Sequence, residues 1–246
     1  MKQVIDFIEE QKRVFSELPL FKRLEGTGTL DDVRAFAPSI MFFTHSAKDF
    51  LRINSARFED PEMRRIALQH AIEEKDHNRW LRADLANLDV AVDFERVYSE
   101  EHEVERDAAY QFIHEALCAK HDATRMATVW VLEMTGEALF SRTVGYFPRS
   151  GYSGRLVYYA QTHLSVEHSH VLFQEVEREY IERTSLTAEV RAEAIEAARR
   201  CYMAMTAMMN ACERMIVRAA AKRQAVGASA PARASAPLPE RDPARS

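Results

Sequence analysis

Residues 158–170 read Tyr-Tyr-Ala-Gln-Thr-His-Leu-Ser-Val-Glu-His-Ser-His, and they set two imidazoles and a carboxylate at helical spacing. His163, Glu167 and His170 stand at i, i+4 and i+7, so in a regular helix they share one face, with Val166 and Val171 beside them. Three histidines and a glutamate within eight residues are hard to explain as packing, because buried polar groups cost free energy unless they are bonded. His168 is rotated by about 100° from Glu167 and reads as a bystander.

Working outward, His70-Ala-Ile-Glu-Glu-Lys-Asp-His77 lines up His70, Glu74 and His77 on one face of an earlier helix. Glu74-x-x-His77 is the spacing by which a helix offers two ligands to one metal centre. The alternative is a solvated charged face, since Glu73, Lys75, Asp76 and Arg79 are interleaved with it. Between the two motifs lies Val129-Trp-Val-Leu-Glu133-Met-Thr-Gly-Glu137. Glu133 shares its face with Met126, Val129, Trp130 and Phe140, a core stripe, and a buried carboxylate is normally paired or ligating. Glu137, one turn on, is a candidate outer partner.

Helical periodicity runs through the rest of the chain with no competing strand-like alternation. The pattern predicts helices over about 2–16, 29–58 (kinked at Pro38), 61–88, 99–119, 122–146, 154–183 and 187–223. Asp60-Pro61 is a start signal, and 148–154 is the clearest internal loop. The body, 1–224, reads as one all-α domain, and the Ala/Pro/Arg-rich residues 225–246 as a disordered tail.

Composition narrows the function classes. A net charge of −5 offers no basic field for nucleic acid. The three cysteines, Cys118, Cys201 and Cys212, make neither a disulfide framework nor a thiolate zinc site, which suits a reduced cytoplasm. The N-terminus lacks the apolar stretch of a signal peptide, and no run reaches the roughly 18 apolar residues of a membrane span.

Three histidines and three carboxylates from three helices suit iron or manganese better than zinc or calcium. Carboxylates can bridge two metals about 3.5–4 Å apart, leaving open positions for oxygen and substrate. The order of these motifs, Glu74-x-x-His77, then lone buried Glu133, then His163-x-x-x-Glu167-x-x-His170, resembles the haem-oxygenase-like diiron oxidases. The last motif of that family more often carries Asp where this chain has Glu167. The resemblance implies metal ligands, and hence catalytic residues, at Glu74, His77, Glu133, His163, Glu167 and His170. It implies a seven-helix bundle related to haem oxygenase, thiaminase II and PqqC, two Fe(II) ions, O2 as co-substrate and an external electron donor. Its reactions are oxidative cleavage or decarboxylation of fatty and amino acids and N-oxygenation of amines, often in natural-product biosynthesis.

Other readings account for less. Ferritin-like diiron proteins need a Glu from the second helix, and none lies between Leu30 and Phe58. His163 would also go unexplained. A thiaminase II-like hydrolase needs a cysteine nucleophile beside pocket carboxylates. Haem oxygenase activity needs a histidine near the N-terminus, and the first is His45. A non-catalytic interaction protein would keep the histidines as polar core residues.

The substrate pocket is expected beside the metals, walled by the second, fifth and seventh helices. Phe42-Phe43-Thr-His45-Ser-Ala-Lys48-Asp49-Phe50 offers His45, Lys48 and Asp49 among aromatics, although a surface strip reads equally well. Tyr158 and Tyr159 precede the triad, and the Met-rich stretch 201–212 suits core or an adaptable apolar pocket. A substrate carboxylate could take an open iron position, which points to an amino or fatty acid. The expected partner is thus a small molecule, with a homodimer as a compatible assembly.

Overall fold

The computed structural model describes residues 1–26 and 28–229. It is all-α, and each of the seven expected helical runs is present, several of them broken. The first is α1 (Lys2–Phe15), followed by a short α2 (Pro19–Glu25) that starts on its proline. The second run splits into α3 (Leu30–Phe36) and α4 (Ile40–Ser55). Pro38 therefore ends one helix rather than kinking a continuous one, because it has no N–H to continue the ladder and its ring crowds the carbonyl four residues back, although Ala37 before it keeps a helical conformation.

The third run is α5 (Pro61–Glu73), one turn of 3-10 helix at Glu74–Asp76, and α6 (His77–Asn87). Asp60 caps α5, accepting the Glu62 and Met63 N–H groups at 3.0 and 2.8 Å. A single turn, α7 (Phe94–Val97), leads to α8 (Glu103–Cys118), and α9 (Asp122–Arg149) follows. The sixth run is the most altered. Only α10 (Gln161–Glu167) and α11 (Glu175–Arg183) are α-helical, and His168 and Ser169 form a turn ahead of a 3-10 turn at Val171–Phe173. The last helix, α12, spans Ala188–Ser229. The tail expected over 225–246 thus overlaps the end of α12, and residues 230–246 lie outside the described ones.

α9 is buried nearly all round, from Ala123 through Trp130 and Glu133 to Phe147. α12, α1, α2 and α10 pack on it, while α4 lies against α8, α5 and α6. A helix buried on every side is the axis of a bundle, so a carboxylate on it faces protein rather than water. Among the described residues no helix is long and apolar enough to cross a membrane.

Candidate metal centre

Four elements converge on α9 at Glu133. From the α5–α6 run come His70 at the end of α5, Glu74 in the 3-10 turn and His77 at the start of α6. The tightened turn matters, since it displaces Glu74 from ideal α-helical register while keeping it between the two histidines. From the sixth run come His163 and Glu167 on α10 and His170 just beyond it. The expected single helix face for His163, Glu167 and His170 is therefore replaced by a short helix and a turn. All seven side chains are buried or nearly so.

The donor atoms fall into two groups, His70, Glu74, Glu133 and His170 in one and His77, His163 and Glu167 in the other, each within 4.8 Å. Two carboxylates reach both. Glu74 Oε2 is 2.5 Å from His77 Nδ1 and its Oε1 is 3.2 Å from His170 Nδ1. Glu167 Oε1 is 2.6 Å from His163 Nε2 and 3.7 Å from His77 Nδ1, and its Oε2 is 3.5 Å from His170 Nδ1. Glu133 stays in the first group, with Oε1 3.0 Å from His70 Nε2 and Oε2 3.4 Å from His170 Nδ1.

Several of these atoms are close without being hydrogen-bonded. His163 Nε2, both ring nitrogens of His70, His77 Nε2, His170 Nε2 and Glu74 Oε1 are buried and lack a hydrogen-bond partner among the described residues. Native proteins rarely leave so many buried polar atoms unsatisfied in one place. Of these, His70 Nε2, His163 Nε2 and Glu74 Oε1 face the opposed donors, beside His77 Nδ1 and His170 Nδ1, and two groups of mixed imidazole and carboxylate donors could each hold a divalent cation.

Electrostatics point the same way. Burial pushes the Glu74 carboxyl well above its ordinary range, and Glu167 and Glu133 beside it add to the rise. Burial also raises Glu167, against the downward pull of His163. Burial followed by the neighbouring His163 and His170 drives His77 down to about 2, so its ring is neutral and able to ligate. Burial alone would raise Glu133, but His70 and His170 hold it below the usual carboxylate range. A cation between these groups would remove the conflict among the carboxylates.

His163 is fixed from all sides. Its Nδ1 donates to the Tyr158 carbonyl at 2.5 Å, which leaves Nε2 as the ligating nitrogen. Its ring packs against Phe140, His77, Tyr158 and Trp80, with centroids 4.2 to 5.2 Å away.

A narrow cavity of about 70 Å³ opens onto Glu74, His77, Glu133 and Glu167. Its walls come from α4, α9 and α12, the three helices expected to line it. They are mostly apolar, including Phe43, Leu139, Phe140 and Met205, Met208 and Met209, with Thr44 and Tyr158 hydrogen-bonded at 3.2 Å. Of the substrate candidates, Lys48 lines this cavity at its exposed rim. His45, Asp49 and Tyr159 do not line it. His45 Nδ1 bonds to Met41 O at 2.9 Å, Asp49 pairs with Arg52 on the surface at 3.6 Å, and Tyr159 packs on Phe147 and Tyr158. Glu137 points away from the centre and bonds to Lys12 at 2.5 Å. His70 also falls among these donor atoms, in helical register with Glu74 and His77, although the six expected ligands do not include it.

No known family's sequence pattern matches this chain, and no curated protein does. Its structure is similar to that of a TenA homologue from Pseudomonas syringae pv. tomato. The TM-score is 0.63 at 15% identity, over 86% of this chain and 91% of that chain. The fold is TenA-like. That agrees with the haem-oxygenase-like bundle expected from the order of the motifs, and at this identity the likeness concerns fold alone.

Proposed function

We propose that this chain is a non-haem diiron oxidoreductase that uses O2 to oxidise a small carboxylate- or amine-bearing substrate. Oxidative C–C cleavage or decarboxylation and N-oxygenation of an amino or fatty acid are the reactions in view, in a biosynthetic setting. The observation that carries the proposal is the pair of adjacent, buried donor groups joined by Glu74 and Glu167. Bound there, two ferrous ions would supply electrons and vacant coordination positions for activating O2, with further electrons from an external donor.

The protein's own part is binding, orientation and exclusion of water. His70, Glu133 and His170 would hold one ion, His77 and His163 the other, with Glu74 and Glu167 shared. The apolar walls of the cavity keep bulk water from the reacting centre and accept a slender aliphatic chain, and the methionines let it widen. Lys48 is the only basic residue lining the cavity apart from the ligand His77, and it makes no ion pair among the described residues. An anionic head group therefore suits the rim.

The TenA-like fold raises a second reading, a thiaminase II-like hydrolase. That chemistry needs a thiolate at the cavity, and no cysteine lines it. Cys118 is exposed, while Cys201 and Cys212 are buried and burial pushes both thiols up.

Anaerobically Fe(II)-loaded protein mixed with air-saturated buffer and a panel of aliphatic amino and fatty acids separates these readings. The diiron reading expects O2 uptake that needs iron and is accelerated by at least one substrate. Iron-independent hydrolysis of a thiamin-type substrate, abolished by alkylating cysteine, would replace it with the hydrolase.

A further inference from the structure

His163 and His170 do not share one continuous helix, so helix geometry alone cannot hold both on the centre. The chain around them is irregular, with bends and turns over 150–160 and a turn after Glu167. The bonds that fix the leading end come from α6. Asp84 is fully buried, and its Oδ1 accepts the Val157 N–H at 2.7 Å while its Oδ2 accepts the Tyr159 N–H at 3.0 Å. Those two N–H groups flank Tyr158, whose carbonyl receives the Nδ1–H of His163. Further along the same helix, Asn87 Nδ2 donates to the Arg155 carbonyl at 2.9 Å, and Tyr152 OH donates to the Asn87 carbonyl at 3.2 Å.

Asp84 belongs to neither group of donor atoms. It stands seven residues beyond His77, which itself stands seven beyond His70, so all three lie near one stripe of the α5–α6 run. A single run thus presents ligands at its first half and a backbone clamp at its second. The trailing end of the ligand segment is held separately, by Glu73 Oε2 accepting the Val171 N–H at 3.0 Å just after His170.

We propose that Asp84 is a positioning residue of the centre. By gripping the backbone on both sides of Tyr158, it aims that carbonyl at His163 and so decides which ring nitrogen faces the metal. Partners of this kind fix the tautomer and ring orientation of ligating histidines, and their loss typically weakens metal binding by about 10–100-fold. The effect on metal rests on the diiron reading above, whereas the effect on the His163 tautomer does not.

The test uses metal-free and Co(II)-titrated full-length protein labelled with 15N-histidine, at about pH 8, where an ordinary imidazole is neutral. In wild type, long-range 1H–15N spectra should show His163 as the single Nδ1–H tautomer. Asp84→Ala should give mixed tautomers at His163 and weaken one of two Co(II) equivalents by about 10–100-fold, leaving the other nearly unchanged. Glu73→Ala should leave the His163 tautomer intact. Asp84→Asn preserves volume and one acceptor, so it should fold where alanine does not and give an intermediate shift. A folded Asp84 variant with His163 still fixed and both Co(II) affinities unchanged would overturn the proposal. A tautomer shift in a protein whose wild type binds no Co(II) would instead remove the metal reading and leave the role of Asp84 standing.

Discussion

Glu133 sits on the axial helix of the bundle, where an uncompensated carboxylate would cost several kcal/mol. Its oxygens meet His70 and His170, and it reaches only one of the two donor groups. Replacing it should therefore act asymmetrically. Glu133→Ala is expected to lose one metal equivalent, or weaken it by about 100-fold, while the His77, His163 and Glu167 set still binds. His70→Ala should weaken the same equivalent, and competition with a coloured chelator reads both variants. Undiminished binding of two ions by Glu133→Ala would remove that residue from the centre. Spacing and the apolar surroundings of Glu133 single out six of the seven side chains that the fold brings together here. His70 is less conspicuous, because Glu-x-x-His draws attention to i, i+3 spacing, whereas His70 stands four residues before Glu74 and meets Glu133. The residues at the rim were less legible. Whether a polar side chain between aromatics faces a cavity depends on a helix's rotation against its neighbours, and Lys48 and Asp49, adjacent in sequence, end up facing differently.

At the scale of elements, the helical runs were readable from periodicity and their interruptions were not. Pro38 was visible as a disturbance, but a kink and a break differ only in whether neighbouring packing keeps the two halves in line. The 3-10 turn at Glu74–Asp76 and the end of α10 at Glu167 have no breaker residue to announce them. Both fall at donors of the centre, consistent with the demands of convergence overriding regular helix there. One element boundary is plain in the sequence itself. Asp60 accepts the N–H groups of Glu62 and Met63 at the start of α5, and it also receives the Tyr180 hydroxyl from α11 at 2.9 Å. Asp60→Ala should cost about 1–2 kcal/mol in urea unfolding with an unchanged slope, since the cap is lost without altering the surface exposed. A change below about 0.3 kcal/mol would mean that the α5 N-terminus is frayed in solution.

For the whole molecule, the bundle explains how distant segments reach one point. The long α9 and α12 form a wall of the cavity, and the broken third and sixth runs bring their donors onto α9. The all-α class followed from helical periodicity and few breakers, and the TenA-like arrangement agrees with the order of the motifs. The substrate was not legible, because an apolar cavity with a single lysine at its rim defines a shape and a charge but no reacting bond. What the buried donors hold is decided by loading them with metal. Anaerobic titration of metal-free protein with Fe(II), followed by Mössbauer spectroscopy of the 57Fe-loaded sample, counts and distinguishes the ions bound. Two iron equivalents per chain in inequivalent sites, both oxidised on exposure to O2, are expected. Binding of no iron, or a single equivalent that persists unchanged in Glu133→Ala and His163→Ala, would rule out the diiron centre.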